Sequence, residues 1–360
     1  MRKTQLLFMS AFVPVVIYAQ RMTDTPEHSK YIMAVDEFVP APGQFVNTMP
    51  QYEEGDTPAD MTDKCTQQLA AGNRGMVSLG AYGGYMTFHF DHSIANIDGR
   101  PDFYVMGNAF RSADSEYDGG SSEPGIVMVS KDVNGNGIPD DPWYELSGSC
   151  DVDSVGKVDY GYEITYTFDA MNDVPWTDNR GNSGVVSRNS FHVQEYFPQW
   201  LGSSLTFSGT RLPDNAVDVA GNGTNWVQMF FRYGYVDNKP NADKEACSFD
   251  ISWAVDENRK PVNIDFIDFI RVYNGTNQTC GLLGEVSTEV VGAEDLHLDE
   301  SLSAIRDAQQ SASVSSAVTG ISPAHEVCRH STDGCVVTLR HKGVNIVRMS
   351  DGSVRKLIVR

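Results

Sequence analysis

Asp132, Asn134 and Asn136 set three oxygen-bearing side chains at every second position of the stretch Lys131-Asp132-Val133-Asn134-Gly135-Asn136-Gly137-Ile138-Pro139-Asp140-Asp141. Alternating oxygens around a forced turn are how a loop wraps a hard cation. Gly137 permits the tight backbone, the Ile138 carbonyl can turn inward, and Asp140 or Asp141 can close the shell, so the stretch is expected to hold calcium as a structural ion. The helical calcium hand does not fit, because its closing Glu would fall at Trp143 and both flanks (Gly125 to Ser130, Trp143 to Gly148) read as strands. A solvated turn rich in Asn and Asp accounts for the same composition. A second oxygen-rich stretch, Asp214 to Gly223, has less regular spacing.

Between Val174 and Trp200 aromatic faces alternate with amides and Arg: Trp176, Asp178, Asn179, Arg188, Phe191, His192, Tyr196 and Trp200. This mixture suits a flat ligand or a sugar ring, which takes apolar contact on its face and hydrogen bonds around its edge. The same aromatics could instead plug a protein core. His89 and His92 bracket Asp91 without a recognised zinc spacing. There is no GxSxG elbow and no Gly-rich phosphate loop before a helix, and acidic pairs mean little among 48 carboxylates. No catalytic residues are assigned, and a binding protein is expected rather than an enzyme.

Short strands must position these residues. Tyr162 to Phe168 alternates apolar and polar with period two, as do parts of Tyr85 to Phe90, Leu205 to Leu212 and Ser248 to Val255. Phe103 to Met106, Gly125 to Val129 and Phe266 to Tyr273 read as strands buried on both faces. With many Gly and Pro between them, the pattern predicts an all-β fold, a two-sheet sandwich of the jelly-roll kind. The ligand-binding sandwich is expected over 75–300, after polar lead-in strands and loops over 20–74. Leu298, Leu302 and Ile305 predict a short helix running into a linker over 301–320. Residues 321–360 reverse the charge, seven Lys or Arg against three acids, and two alternating strands joined across Ser350-Asp351-Gly352 predict a hairpin in a small C-terminal β module.

The start of the chain, Met1-Arg2-Lys3 followed by the apolar run Leu6 to Tyr18 and Ala19, reads as a signal peptide over 1–19. The run is too short to span a bilayer, and no transmembrane segment is expected. Removing Arg2 and Lys3 leaves 27 − 2 = 25 basic residues against 48 acidic ones, a net charge of −23, which disfavours nucleic acid and anionic lipid as partners. An exported chain sits at the cell surface or outside the cell, with the periplasm as the alternative. Its six cysteines allow up to three disulfides. Cys328 and Cys335 flank a turn and could staple a hairpin, although buried free thiols are equally compatible.

Several phrases also carry a resemblance: Val105-Met106-Gly107-Asn108-Ala109-Phe110, Ser122-Glu123-Pro124-Gly125-Ile126-Val127-Met128-Val129, Trp143-Tyr144-Glu145-Leu146, Pro175-Trp176-Thr177-Asp178-Asn179, Thr210-Arg211-Leu212-Pro213-Asp214-Asn215-Ala216 and Gly284-Glu285-Val286-Ser287-Thr288-Glu289-Val290. Across about residues 75–298 the chain resembles a family of Bacteroidetes-type cell-surface proteins that often accompany corrinoid (vitamin B12) uptake systems. The resemblance implies capture of a corrinoid for a TonB-dependent outer-membrane transporter. It supplies no ligand contacts residue by residue. The calcium-bearing β fold leaves a glycan-binding module as the alternative, and a glycan-active enzyme after it. The absence of a lipoprotein Cys departs from many members, while Lys342 to Gly352 with the Arg355 to Arg360 ending resembles the C-terminal sorting domains read by type IX secretion machinery.

Overall fold

The computed structural model describes residues 28–113, 116–305, 307–308, 326–330, 343–349 and 354–359. It is all-β in character, built from antiparallel sheets. The largest has six strands in the spatial order Ala34–Val39, Tyr85–Ala95, Phe266–Asn274, Gly125–Ser130, Trp143–Leu146 and Ala254–Val255. A three-stranded sheet (Ser248–Phe249, Phe103–Met106, Gly292–Asp295) shares one core with it. Phe88, Ile94, Val127, Val129, Ile270 and Val272 come from the large sheet, and Phe103, Val105, Phe249 and Ala293 from the small one. The runs expected to be buried on both faces are indeed central strands, as a covered sheet requires.

The lead-in is more ordered than its polar composition suggests. Ala34–Val39 forms an edge strand of the large sheet, and Pro58–Leu69 is an α-helix where only strands and loops were expected. Thr57 and Asp60 cap the helix reciprocally, and Pro58 opens its first turn, where the missing N–H costs nothing. Met61, Cys65 and Leu69, four residues apart, turn one face into the main core. Burying Met61 and Leu69 stabilises the fold by about 1.5–3 kcal/mol each.

A four-stranded sheet (Ser183–Val186, Val174–Asp178, Asp159–Thr167, Ser204–Arg211) carries a second core. The predicted alternation holds there: Tyr162, Ile164 and Tyr166 point inward while Glu163 and Thr167 face solvent. Another four-stranded sheet joins Ala216–Asp218, Trp226–Met229, Gly119–Ser121 and Phe110–Arg111.

Residues 298–305 are helical, matching the Leu298, Leu302 and Ile305 spacing. Gly343–Met349 and Val354–Val359 pair antiparallel, with Val344 opposite Ile358, and Glu326–His330 adds a third strand. The signal peptide, most of the linker, the Ser350-Asp351-Gly352 turn and Cys335 lie outside the described residues. Cys65, Cys150, Cys247 and Cys280 are free and buried. No helix among the described residues is long and apolar enough to cross a membrane.

Candidate functional site: an acid-floored cleft

Three distant segments meet around a cleft of about 380 Å³. Gln44 and Phe45 come from the lead-in, Asn189, Phe191 and His192 from the loop after Ser183–Val186, and Cys280, Leu283 and Glu285 from the stretch after Phe266–Asn274. Ser121, Glu123 and Gln228 complete the lining. Hydrogen bonds lock these segments together. The Gln44 side-chain amide donates to the Leu283 carbonyl (3.0 Å), Asn189 Nδ2 donates to Gln44 Oε1 (2.7 Å), and Gln194 donates to the Gln44 carbonyl. Phe45 meets the His192 ring edge-on at 4.5 Å.

The rim and the floor differ in character. Phe191 is 73% exposed and Leu283 62%, so the mouth offers apolar faces to solvent. Below them Glu285 is only 6% exposed. Its Oε1 accepts the Gln44 backbone N–H at 2.7 Å, whereas Oε2 is buried without a partner among the described residues. Burial pushes the Glu285 carboxyl up to about 8, and the neighbouring Glu123 charge adds to the rise.

Glu123 leads from the cleft into a deeper group. Its carboxylate and those of Asp237 and Glu289 lie with ligand atoms all within 4.8 Å of one another. Each is raised above the usual carboxylate range, first by burial and then, for Glu123 and Glu289, by the repulsion of neighbouring acids. The backbone builds the group from three places. Glu123 precedes the strand Gly125–Ser130 and donates its N–H to the Asp237 carbonyl. Glu289 lies in the short strand Glu289–Val290, paired with Val77–Ser78, and accepts from Ser78 Oγ at 3.0 Å. Asp237 holds a left-handed φ of +56° at a turn, where its Oδ1 accepts the Asn108 and Ala109 N–H groups (2.6 and 2.7 Å) and its Oδ2 the Glu289 N–H (2.9 Å). Gly107 is required beside it, since a Cβ there would come within 2.6 Å of the Asp237 Cα.

The residues expected to bind ligand separate. Phe191 and His192 line the cleft. Tyr196 and Trp200 do not offer their faces: Tyr196 is fully buried, its hydroxyl donating to the His192 carbonyl, and Trp200 stacks with Phe38 and Tyr52. Trp176 is half-buried against the second core, its ring over Gly184. Asp178 and Asn179 build the adjoining hairpin: Asp178 accepts from Asn182 and the Tyr162 hydroxyl, and Asn179 exchanges hydrogen bonds with Glu163. Arg188 donates to the Met171 carbonyl. Aromatic density therefore marked a core boundary as much as a site.

The 132–141 loop is exposed and ordered by its own acids. Asp132 accepts the Asn136 and Gly137 N–H groups (3.1 and 2.7 Å), and Asp141 accepts those of Val133 and Asn134. The Asn134 and Asn136 side chains both turn to Asp140, and Asn134 also to Asp141. Ile138 is exposed, its N–H held by Asn136 Oδ1. Asp268 anchors the loop by accepting the Asp132 N–H at 2.7 Å. At 214–223, Asp218 closes its turn by accepting the Gly223 N–H.

The histidine motif also divides. His89 bonds to Asp36, while His92 lies between Asp91 (2.6 Å) and Asp295 (2.8 Å) with one ring nitrogen on each. Two carboxylate partners favour the imidazolium and raise its pKa despite the opposing effect of burial. His28 joins the group through Asp91. With both its nitrogens engaged, His92 has no lone pair for a metal.

Sequence reasoning missed Gln44, Glu123, Gln228, Asp237, Glu285 and Glu289 as site residues. A signal was present: Ser122-Glu123-Pro124-Gly125 and Gly284-Glu285-Val286-Ser287-Thr288-Glu289-Val290 insert acids into stretches otherwise written for burial. No family model and no curated protein matches the chain.

Proposed function

We propose that the chain is a secreted cell-surface binding protein that captures a corrinoid in the cleft between Gln44, Phe191 and Glu285 for a TonB-dependent outer-membrane transporter. The observation that carries the reading is the contrast between rim and floor: exposed Phe191 and Leu283 above a buried, partnerless Glu285 oxygen. A concave site that offers apolar faces together with a few placed polar groups is the usual form of a small-molecule site. A corrinoid is a flat macrocycle fringed by amides. One fringed edge enters the cleft, where Glu285 offers a buried oxygen with no protein partner and Gln44, Asn189 and Gln228 supply amides of their own. The macrocycle face lies over Phe191.

The rest of the proposal rests on the sequence. Residues 1–19 direct export, and the module over 321–360 addresses the chain to type IX secretion. The core shared by the six- and three-stranded sheets supports a jelly-roll sandwich as the scaffold. Calcium in the 132–141 loop, held by Asp132, Asn134, Asn136, the Ile138 carbonyl, Asp140 and Asp141, is supported by the way those side chains gather around one turn. No catalytic role is assigned.

Titration of the purified full chain with cobalamin and cobinamide, beside a panel of polysaccharides, tests the reading. Saturable corrinoid binding with no glycan binding is expected. Binding to glycans alone would replace the corrinoid with a sugar, and hydrolysis of a bound glycan would make the protein an enzyme.

A further inference from the structure

Four carboxyls, three buried and Glu123 half-buried, stand without a cationic side chain beside them and need an explanation. Among the described residues, Glu123, Asp237, Glu285 and Glu289 have no Lys, Arg or His nitrogen within 4.0 Å, although ion pairs are plentiful elsewhere in the molecule. Burying even one unpaired carboxylate is costly. Protons can meet part of that cost, since a carboxylic acid can share its hydrogen with a neighbouring carboxylate. A cation would meet it more fully.

We propose that Glu123, Asp237 and Glu289 form a second, buried site for a hard divalent cation, calcium above all, at the floor of the ligand cleft. The spacing is that of a coordination shell. Calcium takes oxygens at about 2.3–2.6 Å, so ligands on opposite sides of one ion stand about 5 Å apart at most. The three carboxylates here lie within 4.8 Å of one another.

The surrounding hydrogen bonds aim the ligands. Three backbone N–H groups fix the Asp237 carboxylate, and Ser78 fixes one oxygen of Glu289. The left-handed backbone at Asp237 is what brings that carboxylate inward, a local strain of the kind that accumulates at functional sites.

An independent observation points the same way. Glu285, which is no member of the trio, places a buried oxygen with no protein partner on the same cleft wall as Glu123. An oxygen left bare in the cleft that Glu123 also lines is suited to a water or a ligand oxygen reaching the ion from that side. The cleft supplies the open side of the shell that calcium fills with water or ligand oxygens. This site differs from the 132–141 loop in every residue, and it does not depend on which ligand the cleft accepts.

Calorimetric titration of the full chain with calcium, after exhaustive chelation, tests the site, using Asp132→Ala to silence the loop and Glu289→Gln to silence the trio. Asp132→Ala is expected to retain one equivalent of calcium, which Glu289→Gln in the same background removes. Loss of all calcium binding in Asp132→Ala, with its melting curve otherwise cooperative, would overturn the proposal and leave the trio held by protons. Should Glu289→Gln fail to fold, the conservative Glu123→Gln, at the half-buried edge of the trio, takes its place with the same expected loss. A full equivalent surviving in both Glu variants would also overturn it.

Discussion

The 132–141 loop and the floor of the cleft are both built from carboxylates, yet they solve opposite problems. In the loop the acids are half-buried (Asp132, Asp141) or exposed (Asp140), and Asp132 accepts N–H groups from its own turn four or five residues away. At the floor Asp237 and Glu289 are buried and Glu123 half-buried, and backbone N–H groups and the Ser78 hydroxyl from other segments hold them in place. The first arrangement is affordable without an ion because water screens it; the second is not. Similar chemistry thus serves to shape a surface loop in one place and, at the other, to charge the base of a cavity.

The comparison breaks most visibly at Asp237. Asp237→Ala strips acceptors from three buried N–H groups, each worth about 1–3 kcal/mol when orphaned, so a loss of about 3–5 kcal/mol is expected in thermal or denaturant unfolding. Asp132→Ala frees two N–H groups that water can reach, and in chelator it should cost about 1 kcal/mol or less. Equal losses at the two positions would erase the distinction between them.

Chelation comes next in size. Removing calcium should lower the melting temperature of the wild type more than that of either Asp132→Ala or Glu289→Gln, since each variant has already lost one site. A wild type indifferent to chelator would reduce the loop to an ordinary turn and the floor to a protonated cluster.

A smaller effect separates the regions by pH. Glu285 has its carboxyl raised by burial to about 8, so the folded state binds a proton that the unfolded chain releases near the ordinary carboxylate value. Its contribution is complete below that ordinary value and is lost as pH rises through about 8. In chelator, Glu285→Gln keeps an acceptor for the Gln44 N–H and removes the titration. It should raise the melting temperature at pH 8 by about 1–2 °C, the equivalent of about 1 kcal/mol in a chain of this size, and change it little at pH 5. A gain of the same size at both pH values would show that the carboxyl does not titrate there.

Much of the scaffold was legible because it is written locally. Period-two alternation identified Tyr162 to Thr167, continuous apolar runs identified the central strands, and the C-terminal hairpin followed from two alternating stretches around one turn. The helix over Pro58–Leu69 was overlooked because only Met61, Cys65 and Leu69 of its twelve residues are buried, which dilutes the apolar signal in a polar stretch. The site was half legible. Of the residues expected to bind ligand, Phe191 and His192 line the cleft, whereas Tyr196 and Trp200 share their aromatic setting and face the core. Glu123, Asp237 and Glu289 could not be joined from spacing, because strand pairing and a left-handed turn bring them together across more than a hundred residues.

Under the proposed function the ligand binds at the cleft and not at the loop, and corrinoid titration of three proteins tests this most directly: wild type, Phe191→Ala and Asp132→Ala. Phe191 is so exposed that its loss should change stability by no more than about 0.5 kcal/mol, leaving affinity as the readout. Cobinamide and cobalamin should bind the wild type and Asp132→Ala alike and bind Phe191→Ala about tenfold more weakly, the effect of one lost aromatic face worth about 1.4 kcal/mol. Undiminished binding by Phe191→Ala together with loss in Asp132→Ala would contradict the account and move the site to the loop.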